Sequence, residues 1–356
     1  MLPYLREHHA DPGRLHAEGH VTRVAVEDAR EQVAARFGAR PREVVFTATG
    51  TEAVNTATFG ALTRAGGGHV VTTAVEHSSV LDAIARGTDD ATIVGVDRQG
   101  RFDAHEVADA VRPDTVLVSV QLANHEVGTL QPVTEVVELV RARGDAVVHV
   151  DACAAAGHVP VDFRALAADL CSVTGHTFGG PKGAAALLVR RGLRFPPFVV
   201  GGAQERARRA GIENVPAIIG FGAACAAIAG SGVECDESPR ERALSERLAT
   251  GAQRRLDGIE RYGDPDASLP HLVCLGVEGV EAEPILLALD QRGVAVHSGS
   301  SCSSESLEPS PVLAAMGVDA DRSLRASVGW SSTDDDVDVF LDALPVVVGL
   351  LRDLRR

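Results

Sequence analysis

Residues 172–183 read SVTGHTFGGPKG, and this stretch carries the most information about the fold. The apolar run DLCSVT (169–174) leads into it and AAALLV (184–189) follows it, and both have the length and aliphatic content of buried strands. The loop between them combines hydroxyl, imidazole and glycine, a composition that favours close approach to a ligand. Lys182 in this loop is the only lysine of the chain, so any step that needs a lysine amine must use it.

Apolar runs of strand length alternate with helical periodicity on both sides of this loop. The alternation predicts an α/β fold, with a mostly parallel central sheet covered by helices in a large domain. A polar break, GSGVECDESPRE (230–241), follows a glycine- and alanine-rich helix predicted at 214–230. We therefore predict a large cofactor-binding domain over 1–232 and a smaller α+β domain over 233–356. The predicted strands are 43–47, 69–73, 91–96, 115–121, 146–151, 169–174 and 184–189 in the first, and 271–277, 294–298 and 324–329 in the second.

The composition argues against several classes of protein. A formal net charge of −15 disfavours binding to nucleic acid or to an anionic membrane through the overall field. No apolar run approaches the roughly 18 residues of a membrane-spanning helix, and the N-terminus lacks the apolar core of a signal peptide, so we expect a cytoplasmic protein. The six cysteines include no C-x-x-C pair, so neither a metal site nor a disulfide framework is predicted.

Polar side chains follow five of the predicted strands at their carboxyl ends, where open α/β sheets bind ligands. Gly50 and Thr51 also open a helix, whose free backbone amides can hold a phosphate. Pyridoxal phosphate (PLP) would use such a set, because it presents a phosphate, a ring nitrogen that pairs with an aspartate, and a flat ring. The residues at these ends are Thr51, Glu76, His77, Asn124, His125, Glu126, Asp151, Thr174 and His176.

From about Ala10 onward the chain resembles the cysteine desulfurases of the class V aminotransferase-like family. The resemblance implies fold type I of the PLP-dependent transferases, a homodimer, L-cysteine as substrate, and a protein that accepts the sulfur. The family reaction gives L-alanine and an enzyme persulfide. The matching stretches, in family order, are REVVFTATGTEAVN, TAVEHSSVL, ANHEVGTLQPV, VVHVDA, GHTFGGPKGAAALLVRR, GGAQERARRAGIENVPAIIGFGAA, SGSSCSSESLEPSPVL and LRASVGW.

The resemblance implies a cofactor role for six residues, one of which, Asn124, would also contact the substrate. Thr51, Thr174 and His176 would lie at the PLP phosphate. His77 would stack on the ring and take part in catalysis. Asp151 would pair with the protonated ring nitrogen.

The resemblance also implies substrate and sulfur roles. Asn124 would approach the ring hydroxyl and the substrate, and Arg325 would bind the substrate carboxylate through its bidentate guanidinium. Cys302, in SGSSCSSESLEPS, matches the loop cysteine that attacks the substrate sulfur and carries it as a persulfide.

Three positions depart from the family pattern. The family places its Schiff-base lysine directly after the histidine, as G-H-K, whereas this chain has Thr177, and Lys182 is the family's other lysine in G-P-K-G. Ala154 replaces a glutamine near the ring. Ile212 replaces a threonine that reaches the phosphate across the dimer.

Two functions remain open on the sequence. The first is a sulfur-mobilising desulfurase, supplying for example iron–sulfur cluster assembly, that binds PLP non-covalently and is slowed because loss of a general base costs about 10²–10⁴-fold. The second is a non-catalytic paralogue that has lost the cofactor or keeps it unused. Such a paralogue would accept persulfide on Cys302, bind a metal or cluster there, or pair with an active desulfurase.

Overall fold

The computed structural model describes residues 1–228, 237–298 and 309–354. The chain forms two compact units, and two short segments of its first half, 95–102 and 123–131, belong to the second unit. The division into domains at 232/233 stays a prediction. The first unit comprises Met1–Val94, Asp103–Leu122 and Pro132–Asp236, and the second comprises Gly95–Phe102, Ala123–Gln131 and Glu237–Arg356.

The first unit is built on a seven-stranded sheet. Its strands are β1 (Val44–Thr47), β2 (His69–Thr73), β3 (Ala91–Val94), β4 (Thr115–Gln121), β5 (Val147–Asp151), β6 (Leu170–Thr174) and β7 (Ala185–Val189). The order is β1-β7-β6-β5-β4-β2-β3, and only β7 runs antiparallel to its neighbours. Because β1 and β6 both pair antiparallel with β7, the carboxyl end of β1 lies at the same edge as those of β6, β5, β4 and β2.

The helices of the first unit are α1 (Leu2–Arg6), α2 (Ala17–Arg36), α3 (Gly50–Ala65), α4 (Ser78–Gly87), α5 (Ala104–Asp109), α6 (Val133–Arg143), α7 (Phe163–Leu166), the single turn α8 (Gln204–Ala207) and α9 (Val215–Ile228). Helices α3 to α7 connect strands of this sheet, α1 and α2 precede β1, and α8 and α9 follow β7; the apolar residues that face the sheet are buried. Helix α3 begins with a capping bond from the backbone N–H of Glu52 to Thr49 Oγ1 (3.0 Å) and ends at Gly66, which is left-handed.

The second unit has a four-stranded antiparallel sheet with the order β10-β11-β9-β8. Its apolar face packs against helices in a core of its own. Thr333 caps the last helix, because its Oγ1 accepts the N–H of Asp336 (3.2 Å). The strands are β8 (Ile259–Tyr262), β9 (Leu272–Val277), β10 (His297–Ser298) and β11 (Ser323–Ser327), and the helices are α10 (Ser238–Arg255), α11 (Ala282–Asp290), α12 (Pro311–Ala315) and α13 (Asp334–Leu354).

The predicted α/β fold with a mostly parallel sheet is confirmed. The strand predicted at 294–298 is shorter than expected, since only His297 and Ser298 pair with β11. Within the described ranges, no helix is both long and apolar enough to cross a membrane.

The α8 turn stores backbone strain. Glu205, Arg206 and Ala207 have φ values of 46°, 58° and 62°, in the left-handed region that disfavours residues with a Cβ. A buried ion pair holds the turn, because Arg30 Nη1 and Nη2 donate to the two Glu205 carboxylate oxygens at 2.8 and 2.7 Å. Glu205 also accepts the N–H of Phe46 in β1 (2.9 Å), so the turn is tied to the sheet.

We predict that Ala207→Gly stabilises the protein. Glycine removes the penalty of the left-handed conformation, but it also increases the conformational entropy of the unfolded chain. The net effect is a gain of about 0.5–1 kcal/mol in the free energy of unfolding. Urea unfolding measures it. The matched control is Ala203→Gly, at an exposed position with φ −88°, which should give no gain. Equal effects of the two substitutions would show that the turn carries no strain.

Candidate functional site

The amino end of α3 forms an anion-binding corner at the carboxyl end of β1. The first amides of a helix have no intrahelical acceptor and carry the positive end of its dipole, and here they belong to Gly50 and Thr51. A Cβ on Gly50 would lie 2.8 Å from Cys153 Sγ, so only glycine fits against the neighbouring loop. This corner suits a phosphate group.

Thr174 and His176 follow β6 beside the corner. Thr174 Oγ1 and His176 Nδ1 are 2.7 Å apart, and a short 3₁₀ turn over His176–Phe178 carries the imidazole. Desolvation lowers the pKa of His176, and the positive charge of Lys182 lowers it further. The imidazole therefore favours its neutral form, in which a ring nitrogen can donate to an anion.

Asp151 is the last residue of β5, the central strand of the sheet, and its side chain is buried at 8% exposure. The backbone N–H of Cys153 donates to its Oδ1 at 3.0 Å. Its strand neighbours are Gln121 in β4 and Ser172 in β6. A buried carboxylate in this place is a suitable partner for a protonated ring nitrogen.

His77 follows β2 and caps α4 through its ring. Its Nδ1 accepts the N–H of Ser79 at 3.0 Å and lies 2.8 Å from Ser79 Oγ. The preceding Glu76 is buried, and its Oε1 accepts from Thr73 Oγ1 (2.6 Å) and from the N–H of Gln121 (3.0 Å). These bonds fix the turn that presents the His77 ring.

The residue at the expected lysine position, Thr177, points towards the loop that follows β5. Thr177 Oγ1 lies 3.4 Å from the carbonyl of Cys153 and 3.5 Å from that of Ala156, and its own carbonyl lies 3.0 Å from His158 Nε2. A threonine hydroxyl is neither an amine nor a base near neutral pH. Ala154, the neighbour of Cys153 in the loop after β5, is half-buried, and Ile212 is 67% exposed.

The second unit holds Asn124 and Arg325. Asn124 is fully buried, and its side-chain oxygen accepts the N–H groups of Glu126 and Val127, each at 2.8 Å. Arg325, in β11, donates from Nη1 to the carbonyl of His125 at 3.0 Å. Cys302 lies outside the described residues.

The strand order brings five of the proposed site residues to one edge of the first unit's sheet, namely Thr51, His77, Asp151, Thr174 and His176. The sequence patterns did not identify two residues at this edge of the sheet, Thr49 and Cys153. Thr49 caps α3, and the spacing T-x-x-E at 49–52 could have revealed it. Cys153 lies against Gly50 and Asp151, and its only sequence signal is its place two residues after Asp151.

Comparisons with known proteins agree with this geometry. The family model described as Aminotransferase class-V matches residues 1–340. Cysteine desulfurase IscS of Methanosarcina thermophila is 39% identical over 99% of this chain and 89% of that protein. Cysteine desulfurase of Gluconacetobacter diazotrophicus is 42% identical over 99% of this chain and 90% of that protein. A solved NifS-like protein superposes with a TM-score of 0.89 at 30% identity, over 98% of this chain and 94% of that one.

This chain belongs to the aminotransferase class-V family. The predicted resemblance to cysteine desulfurases is confirmed, and so is the main functional prediction that the chain is cysteine desulfurase-like. The family implies dependence on PLP. The groups at the sheet edge fit PLP, because the first amides of α3 can hold its phosphate and the buried carboxylate of Asp151 can pair with its ring nitrogen.

A buried histidine behind Asp151 predicts a pH dependence of stability. His149, also in β5, is fully buried between Ser119 Oγ and Ser172 Oγ, each 2.8 Å from a ring nitrogen. Burial lowers its pKa to about 4. Because the unfolded chain binds the proton more readily, the stabilisation from neutral His149 is complete above about pH 6.5 and is lost as the pH falls towards 4.

We predict that the titration of His149 alone lowers the free energy of unfolding by about 3 kcal/mol between pH 6.5 and pH 4. Urea unfolding at pH 7.0 and pH 4.5 should show a smaller loss for His149→Gln than for the native chain, because glutamine does not titrate. Equal losses in the two proteins would assign the acid sensitivity to other groups.

Proposed function

We propose that this chain is a cysteine desulfurase-like protein of sulfur mobilisation that holds PLP without a covalent link and converts L-cysteine slowly to L-alanine and a Cys302 persulfide. One observation carries the proposal. The groups proposed for non-covalent binding lie at one sheet edge, whereas Thr177, at the position expected for the lysine, directs its hydroxyl towards backbone carbonyls of the loop that follows β5.

The proposed cofactor contacts follow from the chemistry of each group. The amides of Gly50 and Thr51, with Thr174 and His176, would bind the phosphate. The PLP ring, when bound, supplies the electron sink that weakens bonds at the α-carbon of an amino acid.

Two further residues would orient the ring. The buried Asp151 carboxylate would keep the ring nitrogen protonated. His77, whose ring is held by Ser79, would cover the ring face and take part in catalysis.

The substrate contacts are proposed from the second unit. Arg325 would bind the carboxylate of L-cysteine, since its guanidinium can donate two parallel hydrogen bonds while His125 orients it. Asn124 would contribute its amide group towards the ring hydroxyl and the substrate. Cys302 would accept the sulfur.

Thr177 limits the rate in this proposal. The missing lysine amine would otherwise anchor the cofactor and move the proton at the α-carbon, and a general base of this kind contributes about 10²–10⁴-fold. Lys182 is exposed in the following turn, and we assign it no anchoring role.

We further propose a homodimer in the cytoplasm that passes sulfur to an acceptor protein, for example in iron–sulfur cluster assembly. The names of the two relatives described above, both cysteine desulfurases, support L-cysteine as the substrate.

A non-catalytic partner of an active desulfurase is the second candidate function. The changes at Thr177, Ala154 and Ile212 favour it, because all three fall on positions proposed to serve the same cofactor. In that case Cys302 would accept persulfide, or bind a metal or cluster, without turnover of L-cysteine.

Restoring the lysine distinguishes these functions. We expect Thr177→Lys to raise L-alanine formation from L-cysteine about 10²-fold or more, because the amine returns to a site that keeps the proposed phosphate groups, Asp151 and His77. The matched control Thr177→Ala should give no gain. The measurement is alanine release, together with persulfide labelling of the Cys302 peptide.

The two candidate functions predict different results for Thr177→Lys. A gain in Thr177→Lys that loses its persulfide in the double variant with Cys302→Ser supports the desulfurase. No gain, in a folded variant that binds PLP, favours the non-catalytic partner.

A further inference from the structure

Glu126 is a buried carboxylate next to the proposed substrate groups of the second unit. Its side chain is only 3% exposed. A charged carboxylate is costly to bury unless hydrogen-bond donors surround it, so its contacts are part of the design of this region. The substrate contacts proposed above do not use it.

The Glu126 carboxylate connects residues 125–126 to the amino end of α12. Its Oε2 accepts the hydroxyl of Ser310 at 2.5 Å, and its Oε1 lies 3.5 Å from Nε2 of His125. Ser310 is fully buried and caps α12, because its Oγ also accepts the N–H of Leu313 at 3.1 Å. The carboxylate is therefore held by a helix end that is itself fixed.

The peptide between His125 and Glu126 is also the acceptor of Arg325. Its N–H, on Glu126, donates to Asn124 Oδ1 at 2.8 Å. Its carbonyl, on His125, accepts from Arg325 Nη1 at 3.0 Å. Because a guanidinium is planar and its donors form a rigid fork, one fixed acceptor restricts the direction of the remaining N–H groups. The orientation of this peptide therefore determines where Arg325 can receive a carboxylate.

We propose that Glu126 is a positioning residue, which ties the peptide of His125 to the amino end of α12 and so keeps Arg325 oriented for the carboxylate of L-cysteine. The consequence for L-cysteine rests on the function proposed above. The contact between Glu126 and Ser310 does not, because it belongs to the cofactor-free chain, within the second unit.

The first test measures this contact in the cofactor-free protein. Urea midpoints are compared for the native chain, Glu126→Met, Ser310→Ala and the double variant. Each single substitution leaves a buried polar group without its partner, whereas the double variant removes both groups. We therefore expect the double variant to lose less than the sum of the single losses. The cap of α12 is lost in both variants that carry Ser310→Ala, so the difference reports the contact with Glu126.

Ser245→Ala is the matched control. Ser245 is another buried serine of the second unit, and its hydroxyl donates to the carbonyl of Pro270 at 2.7 Å. Its midpoint shift should add to that of Glu126→Met. Additive shifts for the Ser310 pair as well would overturn the positioning role whether or not PLP binds.

The second test measures the consequence for the substrate. The PLP-loaded chain is titrated with L-cysteine and with cysteamine, which is L-cysteine without its carboxylate, and the absorption of bound PLP is followed. Glu126→Met should raise the dissociation constant of L-cysteine about fivefold, as expected for a weakened hydrogen bond to a charged group, and that of cysteamine less than about twofold. Glu126→Gln keeps a side-chain oxygen that can accept from Ser310, so it should bind L-cysteine within about twofold of the native chain.

The Arg325→Met variant shows whether Glu126 acts through Arg325. In that background, Glu126→Met should cause no further loss of L-cysteine binding. An equal loss for L-cysteine and cysteamine, or an undiminished effect of Glu126→Met without Arg325, would overturn the positioning role.

Failure of the proposed function gives a different result. If the native chain binds no PLP, the proposed function fails. The urea midpoints then decide whether Glu126 ties residues 125–126 to α12.

Discussion

The candidate site depends on one buried carboxylate at the end of the central strand of a mostly parallel sheet. Asp151 ends β5, and a charge in this place is stable only if donors surround it. Cys153 supplies one donor, and the ring nitrogen of PLP would supply another. The strands on either side end at the same edge, so sheet topology brings His77 and Thr174 to the same edge as Asp151.

The replacement of the family lysine that we propose at Thr177 would separate two tasks. Holding PLP needs a group for its phosphate, an aspartate for its ring nitrogen and a surface for its ring, and the residues that we propose for these tasks lie in the first unit. Exchanging the cofactor with an amino acid and moving its α-proton need an amine. Thr177 directs its hydroxyl towards backbone carbonyls, so the loop keeps its shape without that chemistry. Under the proposed function, the protein therefore binds PLP but turns over L-cysteine only slowly.

The sequence predicted the strands of the sheet well, because a buried parallel strand requires a continuous apolar run. It did not predict helix α2 (Ala17–Arg36), because the small and charged residues of this helix lack a clear apolar stripe. It also did not predict the left-handed turn at 205–207, because Ala207 occupies a position at which glycine would be expected. The sequence also identified the polar residues at the strand ends but not Cys153, because an isolated cysteine has no motif and its place beside Gly50 and Asp151 is visible only in the structure. Segments 95–102 and 123–131 join the second unit through tertiary packing that local patterns do not encode.

Borohydride reduction of the native chain after loading with PLP and desalting tests the central claim most directly. Retained PLP is quantified after denaturation, and every lysine- and cysteine-containing peptide is examined by mass spectrometry. We expect stoichiometric cofactor, as PLP or its borohydride-reduced alcohol, that denaturation releases, with the peptide of Lys182 unmodified. A reduced PLP adduct on Lys182 would show a covalently anchored cofactor and would contradict non-covalent binding. The absence of retained cofactor would contradict binding of PLP at the sheet edge around Asp151.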